Sequence, residues 1–198
     1  MNLYKDKREL IYYLEEDAKN AGISLSYVQR IKRIISPSYC YKYICILRYT
    51  SFYRGKRGAN KIISKLLNLY LSRLALKLGF YIPEDIFGPG LYIPHFGSIV
   101  INPNATIGKN CQINNNVVIG QVRGKCPRIG DNVYIGPGAV VSGDVQIADN
   151  VWIGANAVVT KNVEEPYSFV CGVPAKIISF KPRNWVEEYE YRNISEFE

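Results

Sequence analysis

"IGDNVYIGPGAVVSGDVQIADNVWIGANAVVTKNVE", residues 129–164, decides the fold, because it repeats every six residues. Each hexad opens on Ile or Val: Ile129, Ile135, Val141, Ile147, Ile153 and Val159. The fifth place is small or β-branched, as at Val133, Ala139, Val145, Val151, Ala157 and Val163, and the fourth is Asn, Asp or Gly, as at Asn132, Gly138, Asp144, Asn150 and Asn156. A fifth place and the next first place are two residues apart, so their side chains share one face of a short strand. Asn, Asp and Gly tolerate the left-handed backbone conformations that a sharp corner needs. Strand and corner in alternation build a coil. With three hexads to a turn of about 18 residues, successive coils pair at roughly the 4.8 Å strand spacing. The inside becomes a column of Ile and Val, with smaller residues in the tighter places.

The register extends backward through "INPNATIGKNCQINNNVV", residues 101–118, with Ile101, Ile107, Ile113 and then Ile119 in first place and Ala105, Cys111 and Val117 in fifth. Cys111 therefore reads as a core residue. Between Ile119 and Ile129 the segment "QVRGKCPR", residues 121–128, adds four residues and reads as a projecting loop. A repeat of this length predicts a parallel β-helix, and "EEPYSFVCGVPAKIISF" reads as the segment that covers its last open coil.

Upstream the period changes to that of helices. "RELIYYLEEDAKNAG" puts Leu10, Ile11, Leu14 and Ala18 on one stripe and stops at Gly22. A second helical segment runs from about Ser26 through Ile31, Ile34 and Ile35 to Pro37. A third carries Ile62, Ile63, Leu66, Leu67, Tyr70, Leu74 and Leu78 and ends at Gly79. The fold class is α+β: a basic helical region over residues 1–80, a β-helix over 81–180, and a tail or short helix over 181–198.

The net charge of +8 is concentrated in the helical part, where residues 1–80 hold 16 Lys/Arg against 5 Asp/Glu, while residues 81–198 hold 9 against 12. This tyrosine-rich basic half suits anionic partners, such as phosphate, nucleic acid, an acidic glycan or a lipid headgroup layer. The other reading is a set of solvated helix faces with tyrosines packed inward. No nucleic-acid motif is present, and we expect no nucleic-acid partner. The five cysteines are an odd number without a C-x-x-C pair, which points to reduced thiols in a cytoplasm. The charged start "MNLYKDKREL" is unlike a signal peptide, and no segment reaches 18 uninterrupted apolar residues. The sequons "NAT" and "NIS" therefore carry little weight.

Ahead of the regular hexads stands "GLYIPHFGSIV", residues 90–100, with His95, the single histidine of the 198 residues. The stretches "IPHFGSIVINPNATIG", "CPRIGDNVYIGPGAVV" and "CGVPAKII" resemble the left-handed β-helix, hexapeptide-repeat acyltransferases, and residues 80–180 look most like the serine acetyltransferase branch. The resemblance implies a homotrimer, or a dimer of trimers, with acetyl-CoA lying along the seam between neighbouring β-helices. It implies His95 as the general base, since neutral imidazole can take the proton of an attacking hydroxyl near pH 7. It places the pantetheine arm by Gly120, by Gly136 with Pro137 and by Gly154 with Ala155, and the phosphate end by Lys161 and Lys176. Corner geometry accounts for the same glycines. Zinc hydratases on this type of coil need three histidine ligands; one histidine does not supply them, so we expect no catalytic metal.

The chain departs from the serine acetyltransferase pattern at the groups that orient the imidazole and hold an amino acid. Pro94 stands where that branch has an aspartate, Phe80 where it has a further carboxylate, and Cys126 where it has a second histidine. "NAGISL" lacks the acidic residue that follows the first helical-domain aspartate. Glu84 or Asp85 is a substitute carboxylate or a solvated loop charge. Arg123, Lys125 and Arg128 either meet the phosphates of CoA or an acidic acceptor, or stay solvated. Cys126 has no basic partner beyond its loop neighbours to make it a nucleophile. The expectation is an acetyl-CoA-dependent O-acetyltransferase acting on a sugar hydroxyl of a surface polysaccharide or its precursor, in the cytoplasm or at a membrane periphery. The acceptor is then a small molecule or a glycan, including a lipid-linked one. Serine O-acetylation and a non-catalytic trimeric binding module are the alternatives.

Overall fold

The computed structural model describes residues 4–23, 39–54, 56–181 and 183–189. The second expected helical segment, from Ser26 to Pro37, lies outside them, as do residues 190–198. The hexads form a parallel coil with three flat sides. The first sheet stacks β1 (Phe80–Tyr81), β2 (Ile99–Ile101), β5 (Val117–Gly120), β8 (Val140–Ser142) and β11 (Val158–Val159). The second stacks β3 (Thr106–Ile107), β6 (Arg128–Ile129) and β9 (Gln146–Ile147). The third runs β4 (Gln112–Ile113), β7 (Tyr134–Ile135), β10 (Trp152–Ile153) and β12 (Ser168–Gly172), with β13 (Ala175–Phe180) turned back antiparallel against β12 as its edge. Every first-place and fifth-place residue of the complete hexads is buried, including Cys111. Burial also drives the Cys111 thiol well above its ordinary pKa.

The three corners do different work. At the corner from the second to the third sheet, Asn110, Asn132 and Asn150 adopt positive φ. Their side-chain amides form a ladder, Asn110 donating to Asn132 at 2.9 Å and Asn132 to Asn150 at 3.0 Å. Asn20, the last residue of α1 (Lys7–Asn20), donates into the ladder at Asn110 (3.0 Å), and Asn184 donates to Asn150 (3.2 Å). Asn184 also caps a short helix over 185–189, accepting from the N–H groups of Val186 and Glu187. Trp185 in that helix donates to the Asn110 carbonyl at 2.8 Å and stacks on Tyr92. The tail thus folds back along the coil to its first turns.

Before the coil, α1 packs on α2 (Tyr39–Tyr53), which packs on α3 (Ala59–Leu78). Asp6 caps α1 through the N–H groups of Arg8 and Glu9, and Gly79 ends α3 at φ 78° with its N–H on the Ala75 carbonyl. Two expected stripes need correction. Ile11 of α1 faces solvent, while Leu10 and Ala18 are buried. In α3 the buried residues are Leu71, Leu74 and Leu78, whereas Ile62, Ile63, Leu66 and Tyr70 are exposed. The first half of α3 projects beyond what α2 and the coil can cover, so its periodicity does not mark a core face.

The helices are fastened to the coil by one buried ion pair. Arg48 of α2 meets Asp17 of α1 at 2.8 and 3.0 Å and also donates to the carbonyls of Phe87 (3.0 Å) and Gly88 (2.7 Å). Asp17 accepts from the N–H groups of Gly90 (2.8 Å) and Leu91 (2.7 Å). Burial, the largest influence, works against the Arg48 charge, but Asp17 overrides it and the pKa moves up. Among the described residues no helix is long and apolar enough to cross a membrane.

Candidate active site

His95 sits in the turn from the third sheet to the first, between buried Ile93 and Ile99, with its side chain exposed. The backbone fixes that turn rather than the ring. The Gly97 N–H bonds the Leu78 carbonyl at 3.0 Å and the Ile99 N–H bonds that of Gly79 at 3.1 Å, tying the turn to the end of α3. Gly97 adopts φ 138°, and a Cβ there would lie 3.0 Å from Asn115 Cβ in the next coil.

The same corner recurs coil by coil. Below the His95 turn come Asn114–Asn116, then Gly136–Gly138, then Gly154–Asn156, linked by Gly138 N–H to Asn115 O (3.0 Å) and Asn156 N–H to Pro137 O (2.9 Å). The Gly154 N–H bonds Val170 O at 2.8 Å, which places the Val173–Pro174 turn of the β12–β13 hairpin next in the column. Three coil steps separate the His95 turn from Ala155, a rise of about 14 Å. Gly136 with Pro137 and Gly154 with Ala155 therefore share one column with His95. Lys176 lies at its far end, two residues beyond Pro174.

Gly120 and Lys161 lie off that column, at the corner from the first sheet to the second. The inserted loop leaves from Gly120 as a tight hairpin: Val122 and Lys125 exchange backbone bonds at 3.0 Å, and Arg123 and Gly124 both take positive φ. Of its three cations, Lys125 (2.7 Å) and Arg128 (3.2 Å) are held by Asp144, whose carboxyl the Lys125 hydrogen bond keeps below its usual range. Arg123 stands at the hairpin tip. The Cys126 thiol is buried, 3.2 Å from Asn102 Oδ1.

Glu84 and Asp85 face elsewhere. Both are paired with Arg54, and Asp85 also accepts from Ser51, in a cleft of about 610 Å³ between the helices and the first coil. His95 does not line that cleft. Burial raises both carboxyl pKa values, and Arg54 opposes the rise.

Two features of the site went unread in the sequence. One is Phe96, next to His95 and 71% exposed. The other is an outward apolar ladder on the first sheet, where Tyr81, Val100, Val118, Val140 and Val158 stand in register across five strands beside the His95 corner. Its signal was present: the sixth hexad place holds valine on the first sheet, but Thr106, Arg128 and Gln146 on the second and Gln112, Tyr134 and Trp152 on the third.

Gly136 is tightly stacked, since a Cβ there would lie 2.8 Å from both Ala155 N and Ile153 O. Gly136→Ala is expected to cost about 1–3 kcal/mol of stability by forcing the coils apart. Thermal denaturation checks this, with Gly120→Ala, whose nearest neighbours are 4.0 Å away, as the tolerant control.

Residues 126–161 match the family model described as bacterial transferase hexapeptide (six repeats). A serine acetyltransferase of Staphylococcus xylosus is 40% identical over 116 residues, 57% of this chain and 53% of that protein. Mitochondrial serine acetyltransferase 3 of Arabidopsis thaliana is 34% identical over 125 residues, 61% of this chain and 31% of that protein. The chain thus spans between about a third and a half of these relatives' own length. Serine acetyltransferase from Brucella abortus superposes with a TM-score of 0.70 at 24% identity, covering 90% of this chain and 72% of the other. A serine acetyltransferase structure in complex with CoA gives 0.66 at 22%, covering 89% and 72%. The fold, helices followed by a parallel β-helix, is that of these serine acetyltransferase structures. Residues 126–161 carry the hexapeptide repeats of that transferase model, and the chain is similar to serine acetyltransferases over a little more than half of its length.

Proposed function

We propose that this chain is an acetyl-CoA-dependent O-acetyltransferase in which His95 is the general base. The observation that carries the reading is the shared column: the only imidazole of the chain stands at one end of a line of small residues, Gly136, Pro137, Gly154 and Ala155, with Lys176 at the other. Such a line of small residues lets an extended pantetheine lie close to the backbone, thioester toward His95 and phosphates toward Lys176. Acceptor oxygen attacks the thioester carbonyl as His95 Nε2 or Nδ1 takes its proton, and the CoA thiolate leaves and is protonated. Gly120 and Lys161 lie off this column and belong to the site only where a neighbouring protomer brings them to it. The apolar ladder of the first sheet, flanking the His95 corner, supports a homotrimer in which a second coil packs beside the column.

The names of the relatives favour serine as acceptor over the sugar hydroxyl expected from the sequence. One observation keeps the sugar as the second reading: Pro94 sits beside the base, and Glu84 and Asp85 are engaged by Arg54 in another cleft. Release of CoA from acetyl-CoA, followed with serine and with simple sugars or polysaccharide, separates the two. Turnover with serine is the expected result; turnover confined to sugars reverses the order, and none with any acceptor removes the enzyme reading.

A further inference from the structure

α3 presents an apolar face to solvent. At 100° per residue, the side of α3 turned away from buried Leu71, Leu74 and Leu78 carries Ile62, Leu66, Leu69 and Leu76 together with Lys65, Ser72 and Arg73. The four apolar residues among them are 64%, 63%, 51% and 85% exposed. A water-facing helix places charged and polar residues on that side, and a contiguous exposed apolar patch marks a contact surface. Ile63 and Tyr70 widen the stripe on one flank, and Lys65 borders the other.

The charge around the stripe is of one sign. Between Asp17 and Glu84 the sequence holds 13 Lys/Arg and no Asp or Glu. On α3 itself the cations are Lys61, Lys65, Arg73 and Lys77. Partly exposed tyrosines rim the surface, with the Lys77 ammonium 4.3 Å from the Tyr39 ring centroid and that of Lys42 5.6 Å from Tyr70. Apolar side chains at the pole, cations beside them and tyrosines at the edge match what the boundary between acyl chains and anionic headgroups accepts.

We propose that α3 docks the protein on a membrane surface rich in anionic lipid. Ile62, Leu66, Leu69 and Leu76 enter the boundary layer, and Lys61, Lys65, Arg73 and Lys77 reach the phosphates. A two-fold pairing of α3 with its own copy is the poorer occupant. Arg73 lies in the middle of the stripe and would face its own twin, and the uninterrupted run of 66 residues without a carboxylate, 18–83, offers nothing to neutralise it. The end of α3 bonds the His95 turn through Leu78 and Gly79, so docking brings that turn close to the bilayer. The proposal is independent of which hydroxyl is acetylated.

The test is co-sedimentation of the full chain with vesicles of phosphatidylcholine alone and of phosphatidylcholine with about 30% phosphatidylglycerol. Binding is expected to the anionic vesicles and to weaken as salt rises. Leu66→Gln/Leu69→Gln and, separately, Lys61→Glu/Lys65→Glu are each expected to lower binding by roughly tenfold or more. All four side chains are exposed, so the melting temperature and the sedimentation coefficient without lipid stay at wild-type values. Wild-type protein that fails to prefer anionic vesicles overturns the proposal. A lipid-free Leu66→Gln/Leu69→Gln variant that sediments as a smaller assembly also overturns it, because the stripe is then a contact between copies.

Discussion

His95→Ala is expected to reduce acetyl transfer by about a hundred- to ten-thousand-fold, the range for loss of a positioned general base, with no change in thermal denaturation. The two halves of this expectation have separate causes. The chemical half follows from composition: no second histidine exists to replace the first. The structural half follows from the way the turn is held, by backbone bonds from Gly97 to Leu78 and from Ile99 to Gly79 that the substitution leaves in place. His95 is exposed and fills no core space. The measurement is kcat/KM by CoA release, beside a melting curve for each protein. Undiminished turnover removes His95 as the base. A lost melting transition would instead mean that the turn depends on the ring.

The β-helix was legible because its rule is local and repeated: first and fifth places point inward and fourth places bend, so each hexad states the same geometry again. The apolar ladder beside His95 needed a longer period. Its valines recur only once per coil, every third hexad, and a reading by sixes averages them with Gln, Thr and Arg from the other sheets. The helices misled for the opposite reason. The period of α3 is genuine, but periodicity marks an apolar face without saying what covers it, and Ile62 and Leu66 face outward. α2 gave no amphipathic signal because it is buried on several sides, with Cys40, Tyr43, Ile44, Leu47, Arg48 and Phe52 all inside. The site divided in the same way. The place of His95 before the first regular hexad, and of the glycines at corners, was readable from motifs. The separation of Gly120 and Lys161 from the column, and the capture of Lys125 and Arg128 by Asp144, depend on which corner each residue occupies after coiling.

The least legible residues carry the second large effect. Arg48→Ala is expected to destabilise the fold by about 3–5 kcal/mol, the cost of stranding one member of a buried pair, and to lower Tm by on the order of 10 °C for a chain of this size. Asp17 is 0% exposed, so its carboxylate would lose its ion partner with no water to replace it. The carbonyls of Phe87 and Gly88 would lose their donors in the same step. Arg48→Lys is expected to recover only part of the loss, because an ammonium cannot make the two-point contact to Asp17 and span to both carbonyls. Asp17→Leu/Arg48→Met is expected to be milder than Arg48→Ala, since no charge is left alone, but below wild type, since Gly90 and Leu91 N–H then lack an acceptor. These four backbone groups belong to the first coil, a few residues before His95. Loosening them is therefore expected to lower kcat in Arg48→Lys even at temperatures where the variant remains folded. A melting temperature for Arg48→Ala equal to wild type would mean that the helices are held by α3 and the Asn20 ladder alone, and that Asp17 finds water where the structure buries it.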